Sequence, residues 1–199
     1  MSCNVKRLST KKFGYVSVNV ILVFLFVFSA SASDKQSNPV YKFACDAFKH
    51  QSFDPARIQP SQIRNLAPKA IWRMEQAGAI RRDYLKLPSG VELTFVYEMS
   101  ERGKITLQGI TVSALEKTAK PVTINVAGRQ FEFGKSFEST SSLIAGAGKW
   151  GSAPRDTTIR GKKLEGLLWM QPANENGFLF IFYFLDAKLI AISLDGPDR

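Results

Sequence analysis

The chain has 199 residues, with 27 lysines and arginines against 17 aspartates and glutamates, one histidine and two cysteines, and 45% of it is hydrophobic. That is enough apolar material for one ordinary domain and too little charge for a disordered chain. The single imidazole, His50, excludes any centre that needs two, including His-rich zinc sites and the two-histidine metalloprotease helix.

Residues 1–33 contain no acid. Lys6, Arg7, Lys11 and Lys12 precede an apolar run that peaks at Val20–Phe28, and Ala30-Ser31-Ala32 comes next. A basic start, an apolar middle and a small-residue motif form the layout of a secretory signal peptide, expected over residues 1–32. Its removal takes four positive charges and no negative one, leaving residues 33–199 as a single domain of 167 residues with a net charge of +6. Left uncleaved, residues 13–32 are long enough to anchor the chain in a membrane. Export leaves Cys45 as the one thiol, so no intrachain disulfide forms, and no N-x-S/T sequon is present. Together these features point to a bacterial envelope, periplasmic or secreted.

In the domain, Asn38-Pro39 is a helix opening, and Val40, Ala44 and Phe48 recur every four residues, which predicts a helix over Pro39–Lys49. Ile63, Leu66, Ala67, Ala70, Ile71, Met74 and Ala77 keep helical spacing from Pro60 to Gly78, so a second helix is expected there, kinked or divided at Pro68. The period then changes to two. Val91–Met99 alternates as a half-buried strand, preceded by Tyr84–Leu87 and succeeded by Lys104–Ser113. A hairpin is expected from Val122–Val126 and Gln130–Gly134 around Ala127-Gly128-Arg129. Lys135–Lys163, rich in Ser, Thr and Gly, loses periodicity and reads as a long loop. Three strands close the chain, Leu164–Met170, Phe178–Leu185 and Leu189–Leu194. The aromatics of Phe178–Leu185 fall on both faces, which predicts a central strand covered on both sides. Helices first and strands afterwards predict an α+β fold, N-terminal helices packed on a mostly antiparallel, meandering sheet.

Few residues invite chemistry. Cys45 and His50 are a thiol and an imidazole, yet five residues of helix separate them by about 140°, so they do not form a nucleophile and base. Gly146-Ala147-Gly148-Lys149 lacks the first glycine and the Ser or Thr of a phosphate-binding loop, since Leu143 and Trp150 occupy those places. Glu92 and Glu98 are expected on a solvated strand face, about 20 Å apart and too far to cooperate. No cofactor is implied.

The charge distribution is more informative. Between Asp54 and Lys86 lie Arg57, Arg64, Lys69, Arg73, Arg81, Arg82 and Lys86 against three acids. On a helical wheel with Ile63 at zero, Trp72 falls near 180°, with Lys69 and Arg73 at about 240° and 280°. Lys69, Trp72 and Arg73 are therefore expected to form a partner-binding face, an aromatic anchor beside cations that steer an acidic partner. A phase shift at Pro68 would instead bury Trp72 against the sheet. Arg155, Arg160, Lys162 and Lys163 form a second basic cluster.

Exclusion and charge together suggest an exported, non-catalytic binding or inhibitor-type module for an acidic protein or anionic envelope polymer. No nucleic acid is expected outside the cytoplasm. The alternative is an envelope-directed hydrolase with its site near residues 135–163.

Overall fold

The computed structural model describes residues 38–115, 121–153, 158–159, 162–163, 166–172 and 177–197, all within one compact unit, Lys35–Arg199. The expected signal segment lies outside these residues, as do Arg155 and Arg160.

Helix α1, Pro39–His50, starts as its sequence dictates. The Asn38 side chain accepts from the N–H groups of Val40 and Tyr41 at 3.0 and 3.2 Å, and Pro39 fills the first turn. Val40, Ala44, Ala47 and Phe48 form its buried face. Helix α2 is short, Pro60–Asn65.

The expected helix up to Gly78 stops there. Leu66, Ala67 and Ala70 make tight three-residue turns back to Ile63, Arg64 and Ala67. Pro68 cannot donate, and its ring would collide with the carbonyl four residues earlier. The chain emerges extended, as strand β1, Trp72–Ala77. Gly78, φ +59°, then turns it into β2, Ile80–Lys86, through a two-residue hairpin loop with Ala77 opposite Ile80. The glycine ends a strand rather than capping a helix.

Strands β3, Glu92–Met99, and β4, Ile105–Ser113, continue the meander. After the hairpin β5, Thr123–Val126, and β6, Arg129–Glu132, comes helix α3, Phe137–Ile144. Strands β7, Gly148–Ala153, β8, Thr158–Ile159, and β9, Lys162–Lys163, come next. The last three are β10, Gly166–Pro172, β11, Leu179–Leu185, and β12, Lys188–Asp195. The eight-stranded sheet has the order β1-β2-β3-β4-β12-β11-β10-β7, with every neighbouring pair antiparallel. The molecule is thus mostly an antiparallel sheet with a few helices.

The expected loop at 135–163 is in large part ordered structure. Ser136 caps α3 by accepting from the Ser139 N–H, while Ser141 and Ser142 both donate to the Glu138 carbonyl. Arg129 of β6 donates to the carbonyls of Leu143 and Ala145 and closes the helix's C-terminal end. Hydroxyls that in a bare sequence suggest loop are here spent on the helix itself. β7 pairs along β10, where Gly151 leaves room for Trp169, since a Cβ at that glycine would come within 2.7 Å of the indole.

One face of the sheet carries the main core. Phe95, Phe180, Phe182 and Phe184 each meet a ring from the covering layer: Phe43 at 6.3 Å, Phe48 at 5.8 Å, Phe131 at 4.8 Å and Phe137 at 5.1 Å between centroids. On the opposite face Ile181, Tyr183, Ile190 and Ala191 form a second buried cluster. β11 is interior to the sheet and buried on both faces, as its aromatic run predicts. Among the described residues no helix is long and apolar enough to cross a membrane.

Candidate binding surface

The β1–β2 hairpin carries the residues that the sequence singles out, and it lies at one end of the sheet. Because side chains alternate along a strand, neighbours point to opposite faces. Trp72 turns toward the main core, tilted against Phe95 at 6.2 Å, and its indole N–H donates to the Ala67 carbonyl at 3.3 Å. Arg73 lies on the other face, its guanidinium 4.4 Å above the centre of the Tyr84 ring. Lys69 is exposed in the turn before β1. The helical wheel put Trp72 and Arg73 on one polar side, whereas the strand's period of two separates them.

Arg73, Glu75 and Tyr84 make one connected group. Arg73 sits 3.6 Å from Glu75, and the Tyr84 hydroxyl donates to Glu75 at 2.8 Å. Burial, aided by this bond to the carboxylate, holds the Tyr84 phenol above its usual range. Arg82 lies in register between Glu75 and Val96. Sequence alone does not single out Arg82, Glu75 or Tyr84. The available signal is Gly78-Ala79 flanked by two runs of six or seven residues, a hairpin pattern hidden by the helical spacing of the apolar residues before it.

The basic stretch is also less basic than its composition. Arg57 pairs with Asp54 at 3.2 Å, and both Arg64 and Arg81 converge on Asp83, Nε to carboxylate, at 3.0 and 2.9 Å. Asp83 is only 1% exposed, on the core face of β2, and its carboxylate holds Arg81 above the usual guanidinium range. The Tyr97 hydroxyl lies buried without a hydrogen-bond partner beside this cluster. Burial raises the Tyr97 phenol well above its ordinary 10.0, Asp83 adds to the rise, and Arg81 and Arg64 oppose it.

This environment has a measurable consequence for Tyr97→Phe. Deleting a buried, unpartnered hydroxyl is expected to raise stability at pH 7 by about 1 kcal/mol. The native phenol keeps its proton when the unfolded one loses it. The associated stability is therefore fully present below about pH 10 and declines as the pH rises further. Urea unfolding at pH 7 and pH 10.5 should show the variant losing less than the parent between the two. A variant less stable than the parent at pH 7 would show that the hydroxyl carries a bond.

The remaining candidates resolve simply. Cys45 is half-buried on α1, and burial raises its thiol above its usual range, with a bond to Tyr41 working against that rise. His50 is exposed at the end of the same helix. Gly146–Lys149 joins a helix to a strand, the reverse of a phosphate-binding loop. Glu98 is exposed and accepts from Gln108 at 2.8 Å, as a solvated face predicts. Glu92 departs from that reading, being 6% exposed, because β3 there lies beside buried Ser113 in the interior of the sheet. Among the described residues no group of three or more His, Cys, Asp or Glu is arranged to hold a metal ion.

Comparison with protein-family models, with curated proteins and with solved structures finds no match.

Proposed function

We propose that the chain is an exported envelope protein of α+β class, a non-catalytic binding or inhibitor-type module that recognises an acidic macromolecule. The recognition surface is the outer face of the β1–β2 hairpin, with Arg73 and Arg82 as the cationic contacts and Lys69, exposed in the turn before β1, as a further cation. One observation carries the reading: the Arg73 guanidinium sits 4.4 Å over the centre of the Tyr84 ring on an exposed strand. A guanidinium fixed in this way keeps donors free for a carboxylate or phosphate while losing little side-chain freedom on binding. Tyr and Arg together are the residue types that dominate binding hot spots. Trp72 supports this surface from below rather than touching the partner.

Poly-L-glutamate serves as a probe of acidic chains. Titrated with the full protein over a salt series, it should bind with an affinity that falls as salt rises. Arg73→Glu with Arg82→Glu should weaken binding by at least about tenfold and flatten the salt dependence. Absence of binding at low salt, or binding indifferent to the double substitution, would overturn the proposal.

A further inference from the structure

β1 is the end strand of the sheet, and every residue after Trp72 in it is exposed. Apolar side chains in this strand and before it are exposed as well: Met74 is 51% exposed, Ile71 92% and Leu66 39%. Sheet edges of this kind present unpaired backbone groups that template pairing with another strand.

The hairpin determines which groups are unpaired. The residues flanking a two-residue loop, Ala77 and Ile80, form a hydrogen-bonded pair, so Glu75 with Arg82 and Arg73 with Tyr84 do the same. The N–H and C=O of Trp72, Met74 and Gln76 therefore point outward from the sheet. A second strand must meet these three.

We infer that the partner for this edge is β1 of a second copy of the chain, antiparallel, with the two-fold axis at Met74. In that register Trp72 and Gln76 exchange backbone bonds with Gln76 and Trp72 of the second copy, and Met74 with Met74. Arg73 then stands opposite Glu75 of the second copy, twice, in the non-hydrogen-bonded positions where side chains come closest. A shift of two residues one way sets Arg73 against Arg73, and the other way Glu75 against Glu75. Only one of these symmetric registers is complementary in charge, and it also covers the exposed Met74 and brings Ile71 opposite Ala77. The axis is perpendicular to the sheet, so both copies present their Arg73, Arg82 and Tyr84 on the same face. The contact is about 20 Å long and one strand wide, which places it among weak, concentration-dependent interfaces. It forms whatever the outer face of the hairpin binds.

The test is sedimentation of the full chain, without any added polymer, over about a hundredfold range of concentration, with charge exchange as the probe. The parent should show a monomer–dimer equilibrium. Arg73→Glu alone and Glu75→Arg alone should each weaken it by at least about tenfold, since each sets like charges opposite one another twice. The double exchange, Arg73→Glu with Glu75→Arg, should restore it. An equal mixture of the two single variants should form the mixed dimer that neither forms alone. Met74→Pro removes one of the outward donors without touching the β1–β2 ladder, and should abolish pairing. A parent monomeric throughout, or a dimer indifferent to the single charge changes, would overturn the inference. Loss of poly-L-glutamate binding with dimerisation intact would count against the proposed function alone.

Discussion

Arg81→Met is expected to cost about 3 kcal/mol of folding free energy, more than Asp83→Asn in the same cluster. The two partners are not equivalent. Asp83 is 1% exposed on the core face of β2, while the Arg81 and Arg64 side chains that bind it retain 18% and 36% exposure. Losing the carboxylate leaves two cations that can turn toward water, whereas losing Arg81 leaves a buried carboxylate with one partly solvated cation. The penalty is governed by the charge that cannot escape. Arg81→Met combined with Asp83→Leu should recover most of the loss, because an apolar pair of similar volume needs no desolvation. Urea unfolding of the parent, the two single variants and the double variant gives the ordering directly. A larger cost for Asp83→Asn than for Arg81→Met would mean that the cluster is held by hydrogen bonds to the arginines rather than by the buried charge.

Such a cluster is beyond reach of the sequence although Arg81 stands only two residues from Asp83, because the third member is remote and burial has no local mark. Arg64 lies 19 residues before Asp83, and nothing in the local pattern marks Asp83 as buried. Local signals, by contrast, were readable. Asn38-Pro39 with apolar residues at every fourth place opened a helix, and the alternation of Val91–Met99 marked a strand, since caps and periodicity act over a few residues. The aromatic run before Leu185 was equally clear, because only an interior strand buries both of its faces. The sequence misleads where two periods fit the same residues or where composition masks capping. Ile63 to Ala77 satisfies helical spacing, yet Pro68 breaks the ladder, and pairing with β2 makes Trp72–Ala77 a strand. Ser136 to Ser142 reads as loop by composition, although its hydroxyls cap and brace α3. The candidate surface was half legible: Arg73 stood out for its charge, but its platform, Tyr84, becomes a neighbour only through hairpin register.

Trp72→Ala should cost about 3 kcal/mol of stability, because the ring packs on Phe95 and its N–H ties the turn at Ala67 to the sheet. The figure sits at the low end for a tryptophan since the side chain is only half-buried. Trp72→Phe keeps the contact with Phe95 and loses the hydrogen bond, so about 1 kcal/mol is expected. Arg73→Ala, one residue along and on the opposite face, should leave stability within about 0.5 kcal/mol, as its ion pair with Glu75 is exposed. Binding to an acidic probe should respond in the reverse order, weakened with Arg73→Ala and unchanged per folded molecule with Trp72→Ala. Melting curves and titrations on the same two variants therefore separate the two faces of one strand. A Trp72→Ala protein that melts like the parent but no longer binds would put the aromatic anchor back at the interface and the helical wheel's assignment with it.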